Sequence, residues 1–218
     1  MTADDSNDTR SRILDAAATE FMNAGFDATS IDDIACGIGQ TKGLIYYHFR
    51  SKIDIFYAVY ERGMRQVSAQ VVPQVNAPGT GMDRLRRMAK AHVADLLLNL
   101  GYHDVMRQGV EKRLRMKLTD PQREAGRRLG TLRDEYESLF RLVISEGVED
   151  GSIRQLPVTV AARTLIGGLN AVAIWSRNQA EQSLLSEMDD LATQIADVLV
   201  GGFVGQCDAR TRPHSAAV

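Results

Sequence analysis

The chain has 218 residues, 44% of them hydrophobic and 25% charged, with a formal net charge of −2. That length can bury a real core in one large or two small domains, and the composition is ordinary for a globular protein. The charge excludes nucleic-acid affinity as a bulk property, so any such function must rest on where the cations sit.

The opening MTADDSNDTR is acidic and polar, unlike a signal peptide. No apolar run reaches the roughly 18 residues of an ordinary spanning helix. A cytoplasmic protein with no membrane partner is expected, with residues 1–8 as a disordered arm. A first helix is expected over about 9–24, with Ile13, Ala17 and Phe21 on one face and Gly25 as its stop.

The stretch SIDDIACGIGQTKGLIYYHFRSK, residues 30–52, then carries two capping signals around two short helices. Ser30 with Asp33 fits a capping box, and Ser51 with Asp54 repeats it. Gly37 and Gly39 interrupt the pattern, and Thr41 suits the N-cap of the next helix. Helix, glycine turn and second short helix make a helix-turn-helix. Its second helix would present small residues, phenols and cations to a groove and its phosphates. Cys36 is expected as a small buried residue, and its distance from Cys207 gives no metal-ligand spacing. The run from Gly37 to Gly43 lacks the spacing of a phosphate-binding loop.

A fourth helix is expected from Ser51 to about Val71, carrying Ile55, Phe56, Val59 and Tyr60 inward, followed by a loop over 72–81 that holds two prolines and two glycines. Further helices are expected over about 82–100, ended by Gly101, then 104–117, 120–149, 158–177 and 183–206, before a disordered tail at 208–218. Asp120 and Pro121 read as an N-cap and first-turn pair, and Gly147 with Gly151 as punctuation at the end of that long helix. With no strand-like alternation the fold is expected to be all-α, about nine helices in two units, residues 9–68 and 69–207. The last two helices are strongly apolar and bury their stripes either within one subunit or between two.

Residues 9–65 balance seven Lys/Arg (10, 12, 42, 50, 52, 62, 65) against seven Asp/Glu (15, 20, 27, 32, 33, 54, 61). By contrast, residues 107–133 hold nine Lys/Arg (107, 112, 113, 115, 117, 123, 127, 128, 133) against three Asp/Glu (111, 120, 124). That run is either a solvated helical face or a site for an anionic ligand. The four histidines fall in no H-E-x-x-H or di-iron pattern, and no nucleophile–base arrangement is visible, so neither a metal, a cofactor nor an enzyme is expected. His92 reads as a core histidine, and His48 as a phosphate contact or a cap of the recognition helix.

Residues 9–65 resemble the N-terminal domain of the TetR family of one-component transcriptional regulators. The resemblance lies in Ile13, Ala17, Phe21, Gly25 and Phe26, then Thr29 to Ile31, Ile34-Ala35, Gly39, and above all TKGLIYYHFRSK, residues 41–52. Ile38 and Gln40 depart from the usual pattern, so an operator sequence does not carry over. The resemblance implies a homodimer on a pseudo-palindromic double-stranded DNA operator, and a repressor released by a small molecule. Thr29, Ser30, Tyr46, Tyr47, His48 and Lys52 would position phosphates; Gln40, Thr41, Lys42, Gly43 and Leu44 would meet base edges or groove walls. More weakly, residues 133–177 are similar to members that respond to acyl-CoA thioesters. Met106, Arg107, Arg133, Tyr136, Phe140, Asn170 and Trp175 would then meet the ligand. The other reading of the chain is a helical carrier module that does not use DNA.

Overall fold

The structure, a computed structural model, describes residues 3–112, 118–176 and 185–204. Among them are nine α-helices: α1 (Ala3–Ala28), α2 (Ile31–Gly37), α3 (Lys42–His48), α4 (Lys52–Val75), α5 (Gly81–Leu98), α6 (Leu100–Lys112), α7 (Asp120–Glu149), α8 (Val158–Trp175) and α9 (Leu185–Gly201). The only strand-like pairing among the described residues is one isolated bridge between Ile153 and Val204. The expected all-α fold is present.

α1 begins at Ala3 instead of following a disordered arm. The acidic opening of the chain thus falls at the positive end of the helix dipole, where negative charge is favoured. The regular course of α1 breaks at Gly25, whose φ of 79° and ψ of 160° belong to glycine alone. That turn swings Phe26 back onto Phe21 and Phe56, at ring separations of 5.6 and 5.0 Å. The three rings form the heart of the N-terminal unit, in which α1 packs on α4, α2 on α1 and α3 on α2.

α4 leaves that unit and packs against α5, α6 and α7 of the C-terminal bundle. It continues through Pro73 to Val75, past the end expected near Val71. Pro73 removes one bond to the carbonyl of Ala69, but both residues are exposed, so the lost bond falls on the solvent side of the helix. Val67, Val71 and Val75, all buried, hold the last turns down. The break between α5 and α6 falls at Asn99, not at Gly101. Gly101 lies inside α6 because a Cβ there would come within 3.0 Å of the Ala18 carbonyl oxygen. Likewise Gly147 lies inside α7, where Ile153 and the backbone of Gly81 press against it. Both glycines, read from sequence as helix stops, are points of close approach between helices.

Candidate nucleic-acid interface and effector region

The helix-turn-helix is built from its caps outward. Ser30 Oγ accepts from the Asp33 N–H at 3.1 Å, and the Asp33 carboxylate accepts from the Ser30 N–H at 2.7 Å. The Ser30 hydroxyl, which also donates to that carboxylate at 2.7 Å, and then the Ser30 N–H hold the Asp33 carboxyl below its usual pKa. Gly39, at a φ of 66°, turns the chain so that the Gln40 N–H returns to the Ala35 carbonyl at 2.9 Å. Buried Ile34 and Ile45 pin the two helices to the core. Thr41 occupies the N-cap of α3, yet its side chain makes no capping bond and is exposed. At the start of α4, Ser51 Oγ accepts from the Asp54 N–H at 3.3 Å and donates to its carboxylate at 2.8 Å.

One face of this unit is left uncovered. Gln40, Thr41, Lys42, Gly43, Tyr46 and Tyr47 are exposed, with Leu44 and His48 half-buried at its edge. Tyr47 is 69% exposed, and its ring meets the His48 ring edge-on at 5.1 Å. Two exposed phenols on a seven-residue helix, uncovered among the described residues, mark a face available to a partner. Lys42 pairs with Asp32 at 2.8 Å, but both ends are solvated, so the ammonium can exchange to another anion. Cys36 is exposed on α2, against the expectation of burial, because it follows the two buried positions Ile34 and Ala35 onto the solvent side.

Two of the residues expected to touch phosphates are bonded into the frame. Lys52 Nζ donates to the carbonyls of Phe26 (2.6 Å), Asp27 (3.1 Å) and Thr29 (2.6 Å) and lies 4.6 Å from the centre of the Phe26 ring. Its three protons close the turn that ends α1. Thr29 is buried, and its hydroxyl lies within bonding distance of the Gly25 carbonyl (2.8 Å) and the Glu20 carbonyl (3.1 Å).

The C-terminal bundle seals polar groups inside it. His92 of α5, His103 of α6 and Tyr136 of α7 meet where the helices converge. The Tyr136 hydroxyl lies 2.8 Å from His92 Nδ1, and the His103 Nε2 atom lies 2.9 Å from the Asp95 carboxylate. Burial, with the neighbouring His103 ring, pushes the His92 pKa down to about 3 and keeps that ring neutral. Burial likewise raises the Tyr136 hydroxyl, so it stays protonated. Tyr136 stacks toward the fully buried Phe140 at 5.4 Å.

Asn170 reaches this group, since a hydrogen bond between its side chain and His92 works against that lowering; the other ligand candidates lie elsewhere. Met106 is buried against Gly63. Arg107 bonds to Asp104 at 2.7 Å, Asn170 is exposed on α8, and the Trp175 side chain lies outside the described residues. Two further cations of the basic run are neutralised locally, Arg123 pairing with Asp120 and Arg127 with Glu124 along the exposed start of α7. Residues 113–117 lie outside the described residues. Arg133 has no ion pair among the described residues and lines an apolar cavity between the two units. Among the described residues no group of His, Cys, Asp and Glu could hold a metal ion, and no helix is long and apolar enough to cross a membrane.

Sequence reading missed Gln108. Its amide donates to the Phe21 carbonyl at 2.8 Å and to Asp104 at 2.7 Å, while its oxygen accepts from the Phe26 N–H at 3.2 Å. All three bonds are buried, and two of them tie α6 to the turn that ends α1. The one signal in the sequence, Asp104 and Gln108 four residues apart, is shared by countless solvated helices.

Comparison with known proteins accords with this geometry. The pattern described as "Bacterial regulatory proteins, tetR family" matches residues 13–59, and "Tetracyclin repressor-like, C-terminal domain" matches residues 78–203. The chain is 22% identical over 194 residues to the fatty acid metabolism regulator protein of Bacillus subtilis, covering 88% of this chain and 94% of that relative. Among solved structures it superposes on the TetR family transcriptional regulator PfmR from Thermus thermophilus with a TM-score of 0.74 and 27% identity, covering 87% of this chain and 97% of that one. It shares the fold of AibR in complex with isovaleryl coenzyme A and operator DNA, at a TM-score of 0.70, 23% identity and coverage of 89% and 97%. The two patterns together run from α1 into the segment after α9, and the chain belongs to the TetR family of helix-turn-helix transcriptional regulators.

Proposed function

We propose that the protein represses transcription in the cytoplasm by binding a pseudo-palindromic DNA operator as a homodimer, and that an acyl-CoA thioester releases it. The observation that carries the DNA assignment is the uncovered face of α3, where Tyr46 and Tyr47 stand 49% and 69% exposed beside Gln40, Thr41 and Lys42. Gln40, Thr41, Lys42 and Leu44 address base edges and groove walls, and bare Gly43 lets the helix approach closely. Ser30, Tyr46, Tyr47 and His48 address phosphates. Thr29 and Lys52 act one step back, by holding the turn in front of α2.

The dimer assignment is supported by large apolar residues left bare on the last helices. Val160 and Ile174 of α8 are 61% and 64% exposed, and Val198 of α9 is 79% exposed. An apolar face of that kind marks a protein interface, and two-fold pairing matches a two-fold operator.

The effector class is supported by the apolar bundle and by what the relatives' names say of them: one regulates fatty acid metabolism, and another holds isovaleryl coenzyme A. Release proceeds as a population shift. α6 is bonded through Gln108 to the turn beneath the recognition unit, so a ligand that displaces α6 re-aims both reading heads. Moving the population from 1:99 to 99:1 needs roughly 10⁴-fold tighter binding to the released state, a scale that burial of an acyl chain can supply. The test is a gel shift on DNA from immediately upstream of the protein's own coding region, with and without a panel of acyl-CoA thioesters. The expected result is a retarded complex that one chain length dissolves. No complex at low salt would overturn the DNA reading and favour a carrier.

A further inference from the structure

The cavity between the two units has an unusual lining. Its floor is Phe26 and Phe56, two of the three rings at the heart of the DNA-reading unit, and its walls include Tyr57 and Tyr60 of α4. Its roof is one face of α7, where Gly126, Leu129, Gly130 and Arg133 recur at helical spacing, with Gly109 of α6 beside them. Glycine inside a helix costs about 1 kcal/mol against alanine. At Gly126 no neighbour demands it: a Cβ would meet the Tyr57 hydroxyl at 3.4 Å, an ordinary contact. The bare backbone therefore keeps volume open. The side of this space carries one guanidinium, Arg133, which is partly exposed and has no ion pair among the described residues.

We infer that this interdomain cavity takes the apolar chain of the effector, with Arg133 receiving the oxygen-bearing head, an assignment that rests on the acyl effector given above. The lining suits no other ligand chemistry as well. It is aromatic and aliphatic, with a single cation to meet a carbonyl or carboxylate oxygen. The open volume is about 40 Å³, well under the roughly 150 Å³ that holds a benzene ring. A chain of several carbons therefore enters only if α6 and α7 part from α4. Because the floor belongs to the reading unit, the same movement that admits the chain shifts Phe26 and Phe56. Binding energy and the displacement of the recognition helices then arise at one place.

Gly126→Ala and Gly126→Leu fill the cavity from the roof by one and four carbons, at a position where a Cβ meets only the Tyr57 ring end at ordinary contact distance. Calorimetric titration of the full-length protein with octanoyl-CoA, and separately with sodium octanoate, reads the site. The expected outcome is binding by wild type, a graded loss through Ala to at least about tenfold for Leu, and unchanged or higher melting temperatures. Arg133→Gln should weaken the same ligand. Binding of octanoate as tightly as the thioester would assign a carboxylate to Arg133, and binding of the thioester alone would assign its carbonyl; both support the site. Unchanged affinity in Gly126→Leu, with wild type binding normally, overturns the cavity and leaves the effector class standing. If wild type binds neither probe, the effector class and the cavity fall together.

Discussion

The recognition unit and the C-terminal bundle use polar side chains in opposite ways. Around α2 and α3, Lys52, Thr29 and Ser30 bond to nearby backbone and carboxylate, and the structure they hold presents a face left exposed among the described residues. In the bundle, His92, Asp95, His103 and Tyr136 bond to one another and are sealed from water. The first arrangement fixes a surface for a partner outside the chain. The second places the His92 ring and the Tyr136 hydroxyl in a low dielectric, where staying neutral becomes a condition of folding. A polar residue near a site is therefore no guide to contact, because the frame and the reading face draw on the same residue types.

The sharpest way to break that contrast is Lys52→Met. Three carbonyls lose a charged donor, so stability should fall by about 3 kcal/mol, lowering the melting temperature by several degrees. Operator binding should go with it. A variant that melts like wild type but binds DNA poorly would return Lys52 to the contact surface. Next comes Tyr47→Ala, which should abolish specific operator binding, a loss of about 2 kcal/mol or more, while dimer and melting temperature stay as they were. Unchanged affinity in the gel shift would remove this residue from the interface.

The bundle has its own test in pH. His92 carries an ordinary value of 6.5 when unfolded and about 3 when folded. Between those values the unfolded chain binds a proton that the folded one refuses. Stability should therefore fall as pH drops below about 6.5, by up to ~1.4 kcal/mol per unit. Denaturation midpoints from pH 7 to 5 should slope more steeply for wild type than for His92→Gln; equal slopes would mean that the ring protonates in place. The smallest effect belongs to Lys42→Ala. Its exposed pair with Asp32 is dispensable, so melting should not change, whereas discrimination of the operator from a mismatched duplex should fall by about 1 kcal/mol. Undiminished discrimination would leave that ammonium with Asp32 in the complex.

How much could be read in advance differs between the two regions for a physical reason. Ser30 with Asp33 is a local signal, three residues apart, and it caps α2 as the spacing says. Gly25 was legible as a stop because a φ of 79° is a property of one residue and its neighbours. Gly101 and Gly147 were misread for the converse reason: what demands glycine there is the backbone or side chain of a distant element, Ala18 in one case and Gly81 with Ile153 in the other. The apolar face of α4 was legible, but its length was not, since a proline inside the last turns is tolerated only where its orphaned carbonyl faces water. Of the ligand candidates drawn from the sequence, Arg133 alone lines the interdomain cavity. Gln108 gave no usable sign at all.

Sequence alone determined the helical class, the helix-turn-helix and its place at the start of the chain, because periodicity, caps and turn residues act over three to eight positions. Only the tertiary structure decided which of the matching residues face outward and which hold the frame, since Lys52 reaches carbonyls 23 to 26 positions away. It alone brought Phe26, Phe56 and Arg133 around one cavity. Distances of that order along the chain leave no pattern in it; they exist only once the helices have packed.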